Sequence, residues 1–352
     1  MAGVKSIRRA LMLLVILFMT FGIRVNVAAY MKVHTSLMYH WWEGSESAQG
    51  RQVYLPIQIV GEQRNFFFRM LTGYVSTKTE SQEQEDRTVT DILDTKVNTS
   101  YEILEVMPVD IILGLDVNLP TGRTGLEPNH PLLDADPDLL AIKGLGEGVN
   151  INPTITFATE WGRWVGGLGC GYLWRGKYDY SKEIKEYDPG DIINLSAEIR
   201  YDYSSYWEPR LFSDYAYYFR DTIGVKSSRE GSLFVVGLGL HYDQLSWDSD
   251  ISLQRLFRER GDISEHESPG DEWIGELSYN YSLNDKTRLK SFLELLWHED
   301  TVDKKKYSLK VRITRLLKAR LEAGINMKGF LMRTEDEDFK GFSLGADVVK
   351  GF

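Results

Sequence analysis

The sequence predicts an all-β protein, a closed antiparallel transmembrane β-barrel of about sixteen strands with short periplasmic turns and long extracellular loops. Three observations carry that expectation. Apolar and polar residues alternate with a period of two in runs of roughly 10–14 residues. The connections between runs alternate short and long along nearly the whole chain. The apolar face is repeatedly ended by an aromatic residue (Trp161, Tyr203, Phe219, Tyr242, Trp273, Trp297), as at the girdles of a membrane barrel. A soluble sandwich also alternates, but it could not bury the charge crowded onto the opposite face.

The first 29 residues read as a leader. Lys5, Arg8 and Arg9 form a positive region, and Leu11–Phe21 is an apolar run too short to span a bilayer as a helix. Val27, Ala28 and Ala29 supply the small residues of a cleavage site, so 1–29 is expected to be a signal peptide and 30–352 the barrel. No later stretch is apolar for 18 residues. Strand candidates follow at 31–42, 51–62, 65–76, 94–106, 109–120, 150–161, 164–177 and 191–206. Eight more lie at 210–222, 231–243, 245–259, 271–283, 287–299, 306–317, 319–332 and 340–352. Asp110–Leu119 is typical, with Ile111, Leu113, Leu115, Val117 and Leu119 on one face and Asp110, Gly114, Asp116 and Asn118 on the other. Asn194–Tyr203 and Glu272–Tyr281 repeat the pattern. Fourteen strands would remain if the first hairpin lay outside the wall.

Short turns are expected at Glu62–Asn65, Val106–Asp110, Trp161–Trp164, Tyr206–Pro209, Asp243–Leu245, Asn284–Lys286 and Leu317–Ala319. Long polar connections are expected between them, among others at Glu43–Gly50, Ser76–Asp91, Gly122–Gly148 and Asp221–Glu230. In the last strand Phe342, Leu344, Ala346, Val348 and the terminal Phe352 share a face, with Lys350 as a departure. Such a strand resembles the signal read by the barrel assembly machinery of the outer membrane, which that resemblance makes a partner.

Composition narrows the function classes. A net charge of −10 argues against nucleic acid as a partner. The single cysteine, Cys170, excludes intrachain disulfides and cysteine-based metal clusters. An exported barrel implies the outer membrane of a Gram-negative bacterium, with outer-membrane lipid and lipopolysaccharide around it and a small-molecule solute within.

The stretch LGLDVNLPTGRTGL (Leu113–Leu126) resembles the strand-plus-loop signature of a bacterial outer-membrane family labelled "meta-pathway of phenol degradation", related to long-chain fatty-acid transporters. GLGEGVN (Gly144–Asn150) and YDPGDIINLSAEIRY (Tyr187–Tyr201) resemble its next two landmarks, in order. Asp94-Thr95 matches the end of its Gly-Leu-Gly-Asp-Thr turn, although Asp91-Ile92-Leu93 replaces the glycine part. The resemblance covers 91–203 and implies passive passage of small organic molecules, polar or aromatic. It carries no catalytic residue and no cofactor.

With the apolar face outward, the lumen would receive Arg200, Arg220, Asp248, Asp250, Glu276, Arg288, Lys290, Lys310, Arg312, Arg320 and Lys328, together with Glu198, Asp202, Asp214, Glu294 and Glu322. Six of these, Arg288, Lys290, Lys310, Arg312, Arg320 and Lys328, fall on three consecutive strands as a basic wall, preceded by the acidic Asp248, Asp250 and Glu276. Opposed walls of unlike sign would set up a transverse field that sorts polar solutes by charge. Pairing between neighbouring strands, which would instead plug or rigidify the lumen, is the alternative.

The connection 122–148, with Pro128, Pro131 and Pro137, is long enough to fold into the lumen or to cap it. Asp134, Asp136 and Asp138 alternate as in a calcium loop, but the turn glycine and distal glutamate of an EF-hand are missing. An enzyme is not expected. The six histidines accompany no Gly-x-Ser-x-Gly element, and His298 beside Glu299 and Asp300 is the best base on offer. A structural or adhesive barrel with a plugged lumen is the other alternative. The glycines at 166, 167, 169 and 171 mark where a lateral gap would be sought.

Overall fold

The computed structural model describes residues 30–45, 49–81, 84–104, 108–127, 130, 136–262, 270–298, 304–318, 320–335 and 337–352. The expected leader, Asp134, Glu299 and Asp300 lie outside these residues. The chain first forms β1 (Tyr30–Gly44), β2 (Gln49–Gln63), β3 (Phe66–Ser81), β4 (Gln84–Ile92), β5 (Thr95–Ile103) and β6 (Asp110–Leu119). After a long connection come β7 (Asn150–Trp161), β8 (Trp164–Arg175), β9 (Ile192–Tyr201), β10 (Trp207–Tyr218), β11 (Arg220–Ile223) and β12 (Lys226–Arg229). The last seven are β13 (Leu233–Gln244), β14 (Trp247–Arg258), β15 (Glu272–Asn284), β16 (Thr287–His298), β17 (Lys304–Lys318), β18 (Leu321–Arg333) and β19 (Asp338–Gly351).

Each wall strand pairs antiparallel with its neighbours, and β19 returns to β1 through a register from Lys32↔Gly351 to Gly44↔Phe339, so the sheet closes. Closure removes the open seam that a flat sheet would leave in lipid. β4 and β5 share one wall position. The first half of β3 pairs with β5 (Phe66↔Tyr101 to Leu71↔Lys96) and the second half with β4 (Tyr74↔Ile92 to Thr79↔Arg87). β11 and β12 form a separate hairpin. The wall therefore has 16 positions, as the period-two reading predicted.

Two expected loops are partly strand. The 76–91 segment continues β3 into β4, and 221–230 contains most of the β11–β12 hairpin. Both are polar because they stand beyond the apolar belt, where alternation is no longer required. The β-branched Thr77, Thr79, Thr88, Val89 and Thr90 hold the first of them extended.

The outward face is apolar and open. Leu37, Leu113, Leu195, Leu238, Leu253, Leu309, Ile325 and Leu344 are all exposed. At the short-turn end the belt finishes in touching rings: Trp164 on Tyr201 (centroids 4.5 Å), Trp207 on Tyr242 (4.4 Å) and Tyr242 on Trp247 (4.7 Å). At the other rim Trp41 meets Phe342 at 5.4 Å. These rims correspond to the expected girdles, with Tyr242, Trp273 and Trp297 among their members.

Inside, the chain that follows β6 enters the barrel and builds a core of its own. Leu126, Leu139, Leu140 and Leu145 pack with Trp42, Val75, Phe330 and Met332 from the inner faces of β1, β3 and β18. Glycines on the next strands give these rings room. A Cβ on Gly341 would stand 2.3 Å from Phe330 Cε1, and one on Gly50 would stand 2.2 Å from Trp42 Cζ2. Gly341→Val should therefore push Phe330 into the docked connection and destabilise the barrel by about 1–3 kcal/mol. A lower urea midpoint for loss of the folded, heat-modifiable gel band would show it, and an unchanged midpoint would remove this role for the glycine.

Candidate functional site

The candidate site is the lumen narrowed by the 120–149 connection. Its two ends are held by one carboxylate. Asp94 sits at the break between β4 and β5 and is 5% exposed. Its Oδ1 accepts from Gly122 N (2.8 Å), and its Oδ2 accepts from Glu147 N (2.7 Å) and Asn118 Nδ2 (2.6 Å). The Asp94 N–H donates to Leu145 O at 2.9 Å. A buried carboxylate is tolerated here because several donors surround it. Gly122 is required at that spot, since a Cβ would meet Leu145 O at 2.1 Å.

The tip of the connection is held from three sides. Gln52 Oε1 accepts from Ala141 N and Ile142 N (both 3.0 Å), and its Nε2 donates to Ile142 O (2.9 Å). His40 Nε2 lies 2.6 Å from Leu139 O and Nδ1 lies 2.6 Å from Ser343 Oγ. A carbonyl only accepts, so the neutral ring carries its proton on Nε2 and accepts from Ser343 on Nδ1. On the third side Lys304 Nζ reaches Asp136 Oδ1 (2.8 Å) and Asp138 Oδ2 (2.6 Å), and Lys306 Nζ donates to Asp138 O at 2.6 Å. Asp136 and Asp138, the described members of the alternating aspartates, are thus met by a lysine.

The loop occupies the side of the lumen walled by β1–β3, β17 and β18. The charges around the remaining opening fall into two sectors. On β16–β18, Lys290 stands opposite Arg312, and Lys310 opposite Lys328. Arg312 Nη2 reaches the buried Asp347 at 2.6 Å, and Lys328 lies 4.0 Å from Glu294. Among the described residues Arg288, Lys290 and Lys310 have no acidic partner.

The acidic sector, on β14 and β15, binds neutral or histidine donors instead. Asn280 donates to Asp248 (2.5 Å), His241 meets Asp250 (2.9 Å), and Ser252 donates to Glu276 (3.4 Å). Arg200 completes the ring on β9, paired with Glu198 at 2.9 Å and Glu208 at 3.5 Å. A lumenal cavity of about 550 Å³ beside this sector touches Arg200, Arg210, Asp214, Ser252 and Glu276.

Two of the sequence-predicted lumen residues are elsewhere. Arg220 lies in β11, where the chain has left the wall, and it pairs with Asp262 at 2.9 Å. Arg320 occupies the β17–β18 turn with φ +63°, a left-handed conformation that takes it off the strand ladder. The short turn accordingly falls after Lys318 rather than at Leu317–Ala319. His298 faces the lumen, between Glu272 (3.4 Å) and Asp138 (3.9 Å), and not the outer face that lipid hydrolysis would need. No gap opens at the glycines of β8, which is paired with β7 and with β9. Cys170 faces outward as a small wall residue.

Sequence reasoning missed Lys304 and Lys306, although their even numbers put them on the face of Lys310 and Arg312. It also missed His40 and Gln52, for which no local signal exists.

No known protein family and no curated protein matches the chain. Solved structures do. OpdK of Pseudomonas aeruginosa, with vanillate, is 8% identical, with 92% of this chain and 99% of that one covered at a TM-score of 0.49. OccK7 (OpdD) of the same organism is 11% identical, covering 92% and 99% at 0.46. An anion-selective porin from Comamonas acidovorans is 13% identical, covering 92% and 99% at 0.45.

The clamp on the loop has a pH signature. Burial would raise the Asp138 carboxyl, but the Lys304 hydrogen bond and charge, with Lys143 and Lys306, hold it down at about 2 instead of 3.8. A depressed carboxyl stabilises docking fully above its ordinary value, and that contribution is lost as pH falls through the depressed one. Pepsin should therefore reach the buried Leu139–Leu140 bond only as pH drops from 3.8 toward 2. Lys304→Met should already expose the loop to thermolysin at pH 7, and a variant as resistant as the parent would show that the clamp does not hold it.

Proposed function

We propose that the chain is an exported outer-membrane channel through which small solutes pass passively, with the loop-narrowed lumen as its selective element. One observation carries the reading: a closed wall that is apolar and exposed outside encloses a polar interior in which basic and acidic side chains occupy separate sectors. An apolar belt of this extent is stable only against lipid. The interior could not stay dry with Arg288, Lys290 and Lys310 free of acidic partners, so water fills it, and these cations favour anions within it.

The finer parts of the proposal rest on the sequence. Residues 1–29 act as a cleaved signal peptide, Phe352 is read by the barrel assembly machinery, and outer-membrane lipid with lipopolysaccharide surrounds the belt. The resemblance of Leu113–Leu126 to the phenol meta-pathway family extends the solute range to aromatic and other organic molecules.

Purified barrel in a planar bilayer under a salt gradient tests this reading. The parent should open steadily and prefer anions, and Lys290→Glu with Lys310→Glu should shift the reversal potential toward cation preference. Arg312 is left intact because it neutralises the buried Asp347. An unmoved reversal potential would dismiss the charge sectors as the filter. A folded protein that never conducts would dismiss the channel.

A further inference from the structure

A second chamber lies at the outer end of the lumen, where the 120–149 connection meets the long connection that follows β8. The two are joined by a short parallel bridge, Leu126↔Ser181. Gly125 N donates to Asp179 O at 2.5 Å, and Lys182 N to Leu126 O at 2.8 Å. The cavity between them has a volume of about 340 Å³, at the lower end of the range for small-molecule sites (roughly 300–1,000 Å³). Its apolar lining is Leu126, Leu145 and Pro189, and its aromatic lining is Tyr178 and Tyr180.

Three features describe what would fill it. Asn150, at the start of β7, lines the cavity and is only 8% exposed, yet its Oδ1 receives no hydrogen bond. A buried acceptor left unmade costs about 1–3 kcal/mol, so the site asks for a donor. The cations of the lining are already neutralised: Arg175 by Asp221 at 3.2 Å and Lys143 by Asp138 at 3.3 Å. With Glu147 also on the lining, the chamber has no excess of positive charge to hold an anion. The third feature is a ring platform. Tyr187 meets Tyr178 edge-on at 5.5 Å and 76°, and Tyr180 at 5.9 Å and 70°, which fixes both rings while leaving Tyr180 41% exposed. Burial and Glu147 push the Tyr178 hydroxyl up to about 12, so it stays protonated as a donor.

We propose that this chamber is a binding site for a neutral, polyhydroxylated ring of monosaccharide size, stacked on Tyr180 with one hydroxyl donating to Asn150 Oδ1. Hydroxyls both give and accept, which suits a lining that mixes an amide oxygen, a carboxylate and tyrosine hydroxyls. The flat apolar face of a sugar ring suits the tyrosine platform. The site does not depend on whether the lumen conducts.

The test is ligand-observed saturation-transfer NMR on the full chain folded in a detergent without a sugar headgroup, with D-glucose and myo-inositol as probes and catechol as competitor. The parent should transfer saturation to the ring protons of the polyols. Asn150→Ala and Tyr180→Ala should each weaken that transfer about five-fold, Tyr180→Phe should retain it, and Lys286→Ala in the short β15–β16 turn at the opposite rim should leave it unchanged. Tyr180 lies in a surface loop, so its variant decides the matter should Asn150→Ala fail to fold. Polyol signals equal in parent and both alanine variants would overturn the site. Catechol displacing the polyols at equal concentration would overturn the ligand class, because the cavity would then prefer an aromatic ring.

Discussion

The narrow lumen depends on one buried carboxylate. Asp94 accepts from both ends of a connection that leaves the wall at β6 and returns at β7, and it does so from a wall position where the strand is broken, between β4 and β5. An unbroken strand would turn its polar backbone entirely to its neighbours. The break frees the Asp94 N–H to hold Leu145 O while the side chain gathers three donors. Because the ends are fixed this way, the tip reaches His40, Gln52 and Lys304 without having to search for them. The chain order explains the choice of residue, since a shorter acceptor chain such as serine could not bridge Gly122 and Glu147 together.

The lumenal charge is organised by the same geometry. A period of two fixes which side of the wall a residue faces, and the antiparallel register fixes its height relative to its neighbours. Lys310 beside Lys328 and Lys290 beside Arg312 are like-charge pairs that a dry interior would reject. The acids that could neutralise them, Asp248, Asp250 and Glu276, lie one to four strands away and are engaged by Asn280, His241 and Ser252. Hydrogen bonds from asparagine, histidine and serine thus hold the acids within their own sector.

How far the sequence discloses this arrangement follows from what periodicity can encode. The sixteen wall positions were legible because each strand must carry its own apolar stripe, whatever its partners. Sides were legible for Lys290, Lys310 and Lys328 for the same reason. Arg220 and Arg320 were misplaced because a charge next to a strand end satisfies the alternation whether the chain stays in the ladder or turns out of it. The extension of β3 into β4 was hidden by its polarity, which reflects its position beyond the belt rather than an absence of pairing. Contacts between Lys304 and Asp136, 168 residues apart, leave no local trace. Their existence depends on the loop folding inward, which length and prolines permitted without requiring.

The His40 ring touches two things at once: Ser343, on the strand that closes the barrel, and Leu139, at the tip of the inner loop. β1 and β19 are the first and last strands of the chain, and their pairing closes the wall. A loop that leans on both sides of their junction acts as an internal splint there. The closing seam and the narrowing of the lumen are in this way held by the same segment, so whatever loosens the loop also removes a brace from the junction of the first and last strands.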